Sequence, residues 1–212
     1  MTSLVEGGSS RQQNTMITRQ TILDAAEELF TSHGYADTAL SEIAKRSGVT
    51  KSLIHHHFHS KAALWSEVRG RLWAEHLSAQ ASVLHDRDSD PTRLLEGSIR
   101  AYFRFLQQRP HLVRMIGWTL LEDDPSCKWV DVEFNQQLVE IFNEAQHAGK
   151  VRSDLDGACF IAQMLSMVVH YFECKPEVAH MMTGDRHAET DDTYLENMLR
   201  LVRHGAFVDP VS

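Results

Sequence analysis

Four histidines fall within residues 55–59, in the stretch GVTKSLIHHHFHSK that spans positions 48–61. Imidazoles at this density suit three kinds of chemistry: metal ligation, proton uptake near neutrality, and hydrogen bonding to phosphates or base edges. His55 and His59 stand at i, i+4, the spacing of two zinc ligands on a continuous helix. Lys45, Arg46, Lys51 and Lys61 flank them, and no carboxylate occurs between Ile43 and Ser66. A cation-rich, anion-free surface is the footprint of a phosphate-binding face, where affinity comes from displaced counterions. A metal-responsive or metal-storing helical protein is the rival reading of the same histidines.

Other chemistry is poorly represented. The chain has no Gly-rich phosphate loop, no GxSxG elbow and no HExxH pair, so a non-enzymatic role is expected. Cys127, Cys159 and Cys174 are odd in number, far apart and in no metal-ligand spacing, which suits reduced thiols serving as small core residues better than a disulfide framework; no cofactor is expected. The net charge of −8 argues against indiscriminate coating of nucleic acid. The charge is uneven, however, with six Lys/Arg and six Asp/Glu in residues 1–65 against fifteen and twenty-three thereafter. The longest apolar segment, Ala158 to Phe172, is too short and polar for a bilayer, and a cytoplasmic protein without a membrane partner is expected.

The elements that must position the histidines are helices. Ile22, Ala25, Ala26, Leu29 and Phe30 follow the i, i+3, i+4, i+7, i+8 pattern of one buried stripe, ending at Gly34. A short helix opens after Thr38 and ends at Gly48; another opens after Thr50 and runs to about His57. Val49, Ile54 and Phe58 point inward in this scheme, leaving Lys51, Ser52, Leu53, His55 and His56 outside. Ser60 caps a long helix, and further helical segments cover about 91–108, 111–122, 127–148, 154–174 and 191–208. No strand alternation appears. The expected fold is all-α: a flexible tail at 1–15, a three-helix helix-turn-helix domain at 16–62 and a larger helical domain at 63–212.

Residues 18–68, about a quarter of the chain, resemble the DNA-binding region of the TetR family of transcriptional regulators. The pieces come in that family's order: ILDAAEELF, GY followed by a Thr, IAKRSGV, the recognition helix, and F then SK. The family's recognition helix commonly reads Lys-Gly-Thr-Leu-Tyr-Tyr-His-Phe, and here Lys51, Ser52, Leu53, Ile54, His55, His56, His57 and Phe58 take those places. The resemblance implies that Thr38, Thr50, His56 and Lys61 hold DNA phosphates, while Lys51, Ser52, Leu53 and His55 face the groove. It also ends the helix at Phe58, which weakens the metal pair. A homodimer that leaves a palindromic double-stranded operator when a small apolar or aromatic effector binds is implied in turn.

For the dimer, Leu195, Met198, Leu199 and Val202 form one stripe of the last helix, and Leu165 and Val169 lie on an apolar helix that needs cover from two sides. For the effector, the candidates are Tyr102, Phe105, Met115, Trp118, Phe134 and Met167, groups suited to an adaptable apolar pocket. Gln163, Ser166 and His170 form a polar row that faces either a ligand or the dimer seam. The acidic runs LEDDP and ETDDTY read as caps and solvated turns.

Overall fold

The computed structural model describes residues 6–84, 90–121 and 132–208, with side chains described except at 6–14, 79, 82, 119, 120 and 132. Ten helices are found there: α1 Glu6–Asp37, α2 Leu40–Ser47, α3 Lys51–Phe58, α4 Lys61–Leu84, α5 Pro91–Gln107, α6 Pro110–Leu121, α7 Val132–His147, α8 Gly157–Glu173, α9 Lys175–Thr183 and α10 Asp191–Ala206. Outside them a single antiparallel bridge joins Val151 to Phe207, so the all-α class expected from the sequence holds. Among the described residues no single helix is long and apolar enough to cross a membrane. Cys127 and residues 127–131 of the expected helix lie outside the described residues.

The chain forms two compact units: one comprises Met1–Trp73 with Arg114–Asp123, the other Ala74–Val113 with Asp124–Ser212. In the first, Ile22, Ala26 and Phe30 of α1 are fully buried with Ile43 of α2 and Leu64 and Val68 of α4, while Ile54 and Phe58 of α3 are almost so. Phe30 meets the Trp65 ring edge-on, centroids 4.9 Å apart. Residues 1–5 are outside the described residues and α1 starts at Glu6, within the stretch expected as a tail. Arg11, Gln12 and Gln13 are good helix formers, and extending an existing helix avoids the cost of nucleation. Gly34 interrupts α1 with φ 77 and ψ 178, at the expected stop.

In the second unit Phe103, Leu106, Phe142, Tyr171, Leu195 and Leu199 are fully buried. Tyr171 stacks on both Phe103 and Tyr194, with centroid separations of 5.4 and 4.1 Å. Asp90 caps α5 by accepting from Thr92 N, and Lys150 and Thr92 together hold its carboxyl down at about 2. At the start of α8 a Cβ on Gly157 would lie 2.9 Å from the Phe142 ring, so any other residue there would force that ring to shift. Helix α9 was not expected from the sequence. Pro176 reads there as a stop, but it sits in the first turn, where its missing N–H costs no helical bond, and Gly184 ends the helix at φ 79.

Candidate nucleic-acid interface and ligand cavity

The turn between α2 and α3 is built from local chemistry. Gly48 closes α2 in the left-handed conformation at φ 70, its N–H donating to Ala44 O, and Thr50 caps α3 by accepting from Leu53 N at 3.2 Å. Ile54 and Phe58, one turn apart, anchor α3 in the core. The opposite face is open: Lys51, Ser52, His55 and His56 are exposed, Leu53 is half-buried, and Val49, expected inside, is half-buried too.

Three carboxylates of α1, Asp24, Glu27 and Glu28, are paired within the unit. Arg71 donates to Asp24 at 2.6 Å and also to Glu27, while Arg46 Nε donates to Glu28 at 2.8 Å. Arg46 is thereby committed to an intramolecular partner, and Lys45 and Lys51 remain as exposed cations beside the turn. His57 is half-buried, and burial, followed by the charges of His56 and Arg19, lowers its pKa below the usual imidazole value.

Two residues expected at phosphates are turned elsewhere. Thr38 is only 1% exposed, and its hydroxyl donates to Gly34 O at 2.7 Å and Leu29 O at 3.2 Å. The N-cap of α2 is accordingly Ala39, one residue later than expected. Lys61 is half-buried; its ammonium donates to Ala36 O at 3.1 Å and lies 4.5 Å from the Tyr35 ring centroid.

Helix α3 ends in an uncommon turn. His59 has φ 62 and ψ −43, and Ser60 N donates to Phe58 O at 2.6 Å, closing a γ-turn of the strained, positive-φ kind. The turn directs the His59 carbonyl back to His55, whose Nδ1 lies 3.2 Å from it. Among the described residues no three His, Cys, Asp or Glu side chains are grouped to hold a metal ion.

Concave surfaces of two sizes are found among the described residues of the second unit. A groove of about 640 Å³ is lined by Leu77, Leu84, Leu94, Phe134 and Ile141, with Glu133, Glu140 and Glu144 also on its wall. A narrow cleft of about 20 Å³, room for one water, lies among Gln80, Ser98, Tyr102, Phe134, Met164 and Val168. Phe134 lines both. In the cleft Gln80 Nε2 donates to Ser98 O at 3.2 Å, and Ser98 Oγ donates to Gln80 Oε1 at 3.0 Å. That pairing uses one of the two amide hydrogens of Gln80 and none of the lone pairs of Ser98 Oγ. Burial, with a smaller contribution from Glu173, keeps the Tyr102 hydroxyl protonated well above its usual range. The ring of His76, itself buried, packs against Tyr102, Phe105 and Phe134 at centroid distances of 4.9, 5.2 and 6.0 Å.

The expected effector residues therefore divide. Tyr102 and Phe134 line the cleft, Phe105 lies beside them against His76, and Met167 is half-buried on α8. Met115 and Trp118 belong to the first unit, Met115 buried and Trp118 half-buried. Gln163, Ser166 and His170 are exposed on the outer face of α8 and away from the cleft; Ser166 donates to Ala162 O at 2.8 Å.

The expected dimer residues divide as well. Leu195, Met198, Leu199 and Val202 are at most 3% exposed within the single chain, so their stripe packs inside the protomer. Leu165 lines the cleft and Val169 is half-buried. The outer face of α10 instead carries Thr193, Asn197 and Leu201, and Leu201 is 67% exposed. Cys159, expected in the core, is exposed on α8 near Ala158 and Ala162.

Gln80, Ser98 and Asp191 were not singled out in the sequence. Gln80 and Ser98 lie on different helices, and no local pattern announces that they meet. Asp191, expected in a solvated turn, is 6% exposed and accepts from Tyr171, Lys175 and Gln107.

Residues 22–68 match the profile described as "Bacterial regulatory proteins, tetR family", and residues 95–202, half of the chain, match "Tetracyclin repressor-like, C-terminal domain". The HTH-type transcriptional regulator AcrR of Shigella flexneri is 47% identical over 57 residues, covering 27% of this chain and 26% of that protein. The uncharacterized HTH-type transcriptional regulator YdgC of Bacillus subtilis is 28% identical over 161 residues, covering 73% and 79%. The structure of the ketosteroid transcriptional regulator KstR2 of Mycobacterium tuberculosis aligns over 90% of this chain and 95% of that one, with a TM-score of 0.70 at 17% identity, a likeness of fold.

Proposed function

We propose, from the premise that this chain belongs to the tetR family of bacterial regulatory proteins and is a DNA-binding transcriptional regulator, that it is a repressor. In this reading a homodimer occupies a palindromic operator and leaves it when a small, uncharged, apolar or aromatic compound enters the second unit. The observation that carries the reading is the open face of α3, where Lys51, Ser52, His55 and His56 stand exposed on a helix without a carboxylate. Thr50 and the N-terminal turn of α3 face phosphates, where backbone N–H groups and the helix dipole favour an anion. Lys51, Ser52, Leu53 and His55 enter the major groove, and His56 bonds to a phosphate. In this reading Thr38 and Lys61 support the end of α1, a role consistent with their hydrogen bonds to Gly34 O and Ala36 O.

The chemistry of the cleft supports an uncharged effector. Its lining offers no charged group, one spare amide N–H on Gln80 and an accepting hydroxyl on Ser98, within apolar walls. A neutral molecule with one carbonyl or hydroxyl satisfies both, whereas a buried, unpaired charge there would be strongly disfavoured. Such a molecule would enter from the larger groove by displacing Phe134. Dimerisation would use the outer face of α8, with its small residues and the Gln163, Ser166 and His170 row, together with Leu201 of α10. Effector binding then acts by population shift, favouring dimers whose two α3 helices depart from the spacing of roughly 34–36 Å that matches one DNA turn.

The test is selection of random duplex DNA by the purified protein at moderate salt, with the mass of the bound species determined. A palindrome bound by two chains supports the reading. A protein that enriches no sequence is not the proposed repressor.

A further inference from the structure

The γ-turn at the end of α3 determines what His55 can say to a base. A carbonyl oxygen carries no proton, so in the 3.2 Å contact between His55 Nδ1 and His59 O the hydrogen must reside on Nδ1. A neutral His55 is thereby held as the Nδ1–H tautomer, with Nε2, the nitrogen farther from the backbone, as a bare acceptor. The ring is exposed, and Nε2 has no hydrogen bond among the described residues. Protonation leaves the Nδ1 contact intact and converts Nε2 from acceptor to donor.

In the major groove this reversal has a chemical meaning. Adenine N6 and cytosine N4 donate, whereas guanine O6 and N7 and thymine O4 accept. We propose that His55 is a proton-dependent base reader: its neutral ring selects an amino-bearing base, adenine or cytosine, and its protonated ring selects a keto-bearing base, guanine or thymine. Adenine N7 also accepts, so the contrast is sharpest where cytosine gives way to guanine or thymine. This inference rests on the reading of α3 as the helix in the groove. The charged and titratable groups on the elements next to His55 are Lys51, His56 and His57 on α3, His59 just past its end, Glu42, Lys45 and Arg46 on the adjoining α2, Lys61 at the start of α4, and Arg19 of α1, which lies over the Phe58 ring. Glu42 accepts from Ala39 N and Arg46 is paired with Glu28, so the one carboxylate of this set is engaged away from the ring.

The experiment is selection of random duplexes at about pH 5.5 and about pH 8, on either side of the ordinary imidazole range. It uses the full-length protein and the variants His55→Phe, His56→Phe and His59→Gly. One symmetric pair of operator positions should change from amino to keto base between the two pH values, with a shift in relative enrichment on the order of tenfold. The change should vanish in His55→Phe and persist in His56→Phe. It should also persist in His59→Gly, which keeps the accepting carbonyl and removes the other imidazole. A palindrome with the same bases at both pH values overturns the inference while leaving the DNA-binding reading standing; a switch that survives in His55→Phe overturns it too. Absence of any enriched sequence at either pH removes the DNA-binding reading and the inference together.

Discussion

The hydroxyl of Tyr171 donates to a carboxylate oxygen of Asp191 at 2.6 Å, joining α8 to the start of α10 inside the second unit. The same carboxylate group accepts from Lys175 Nζ at 2.7 Å and Gln107 Nε2 at 2.8 Å, so four helices meet at one buried charge. Burial opposes ionisation of Asp191, but Lys175, Tyr171 and Gln107 outweigh it and hold its pKa below the usual carboxylate value. The folded form therefore favours the carboxylate. Its stabilising contribution is complete above the unfolded value of about 3.9 and is lost as pH falls through the lower folded value.

Replacing Asp191 with Ala should cost about 2–3 kcal/mol at neutral pH, since it leaves Tyr171, Gln107 and Lys175 without their shared acceptor. Tyr171→Phe should cost less, about 1–2 kcal/mol, because Asp191 keeps its other partners. Urea unfolding at several pH values checks both. The advantage of the parent over Asp191→Ala should shrink below about pH 4; an equal advantage at about pH 3 and neutrality would contradict the account.

The uncharged cleft predicts which compounds release DNA. Among probes of similar size, neutral ketones should displace the protein from its selected duplex, while matched hydrocarbons and carboxylates should be much weaker. The double variant Gln80→Leu with Ser98→Ala should remain folded, because replacing both partners of a buried hydrogen bond is close to neutral. It should lose the preference for ketone over hydrocarbon, on the order of tenfold. Release measured by fluorescence anisotropy decides the matter, and a preference retained in the double variant would remove Gln80 and Ser98 from the site.

Dimerisation through the outer faces of α8 and α10 predicts that Leu201→Glu weakens self-association at least about tenfold, since it places a charge in an apolar contact. Leu201 is already 67% exposed in the single chain, so the fold itself should be untouched. Sedimentation equilibrium should find a dimer for the parent and a large monomer fraction for the variant. Identical masses would move the seam elsewhere.

What could be read from the sequence was short in range. The stripe Ile22, Ala26 and Phe30, the Thr50 cap and the inward pair Ile54 and Phe58 are each fixed by helical spacing or by one hydrogen bond to a near neighbour. Periodicity also marked Leu195, Met198, Leu199 and Val202 as covered, but it cannot say by what, and they are covered by their own chain. Thr38 and Lys61 show the same limit in polar form. Each looks free in sequence, yet each turns to a carbonyl at the end of α1, Lys61 across 25 positions. The Gln80–Ser98 pair spans 18 positions and two helices, beyond any local pattern. Gln163, Ser166 and His170 were visible as a row; only the packing of α8 places them outside.

The central claim is that the open face of α3 is the DNA contact, and Lys51→Glu tests it most directly. Lys51 is exposed at the first position of α3, where an acidic side chain favours the helix dipole, so the variant should unfold no earlier than the parent. Its affinity for the selected duplex, measured at fixed salt, should nevertheless fall by on the order of 100-fold, because a cation in each recognition helix becomes an anion inside a groove walled by phosphates. Undiminished affinity in a folded Lys51→Glu protein would contradict the account and place the DNA contact on another surface.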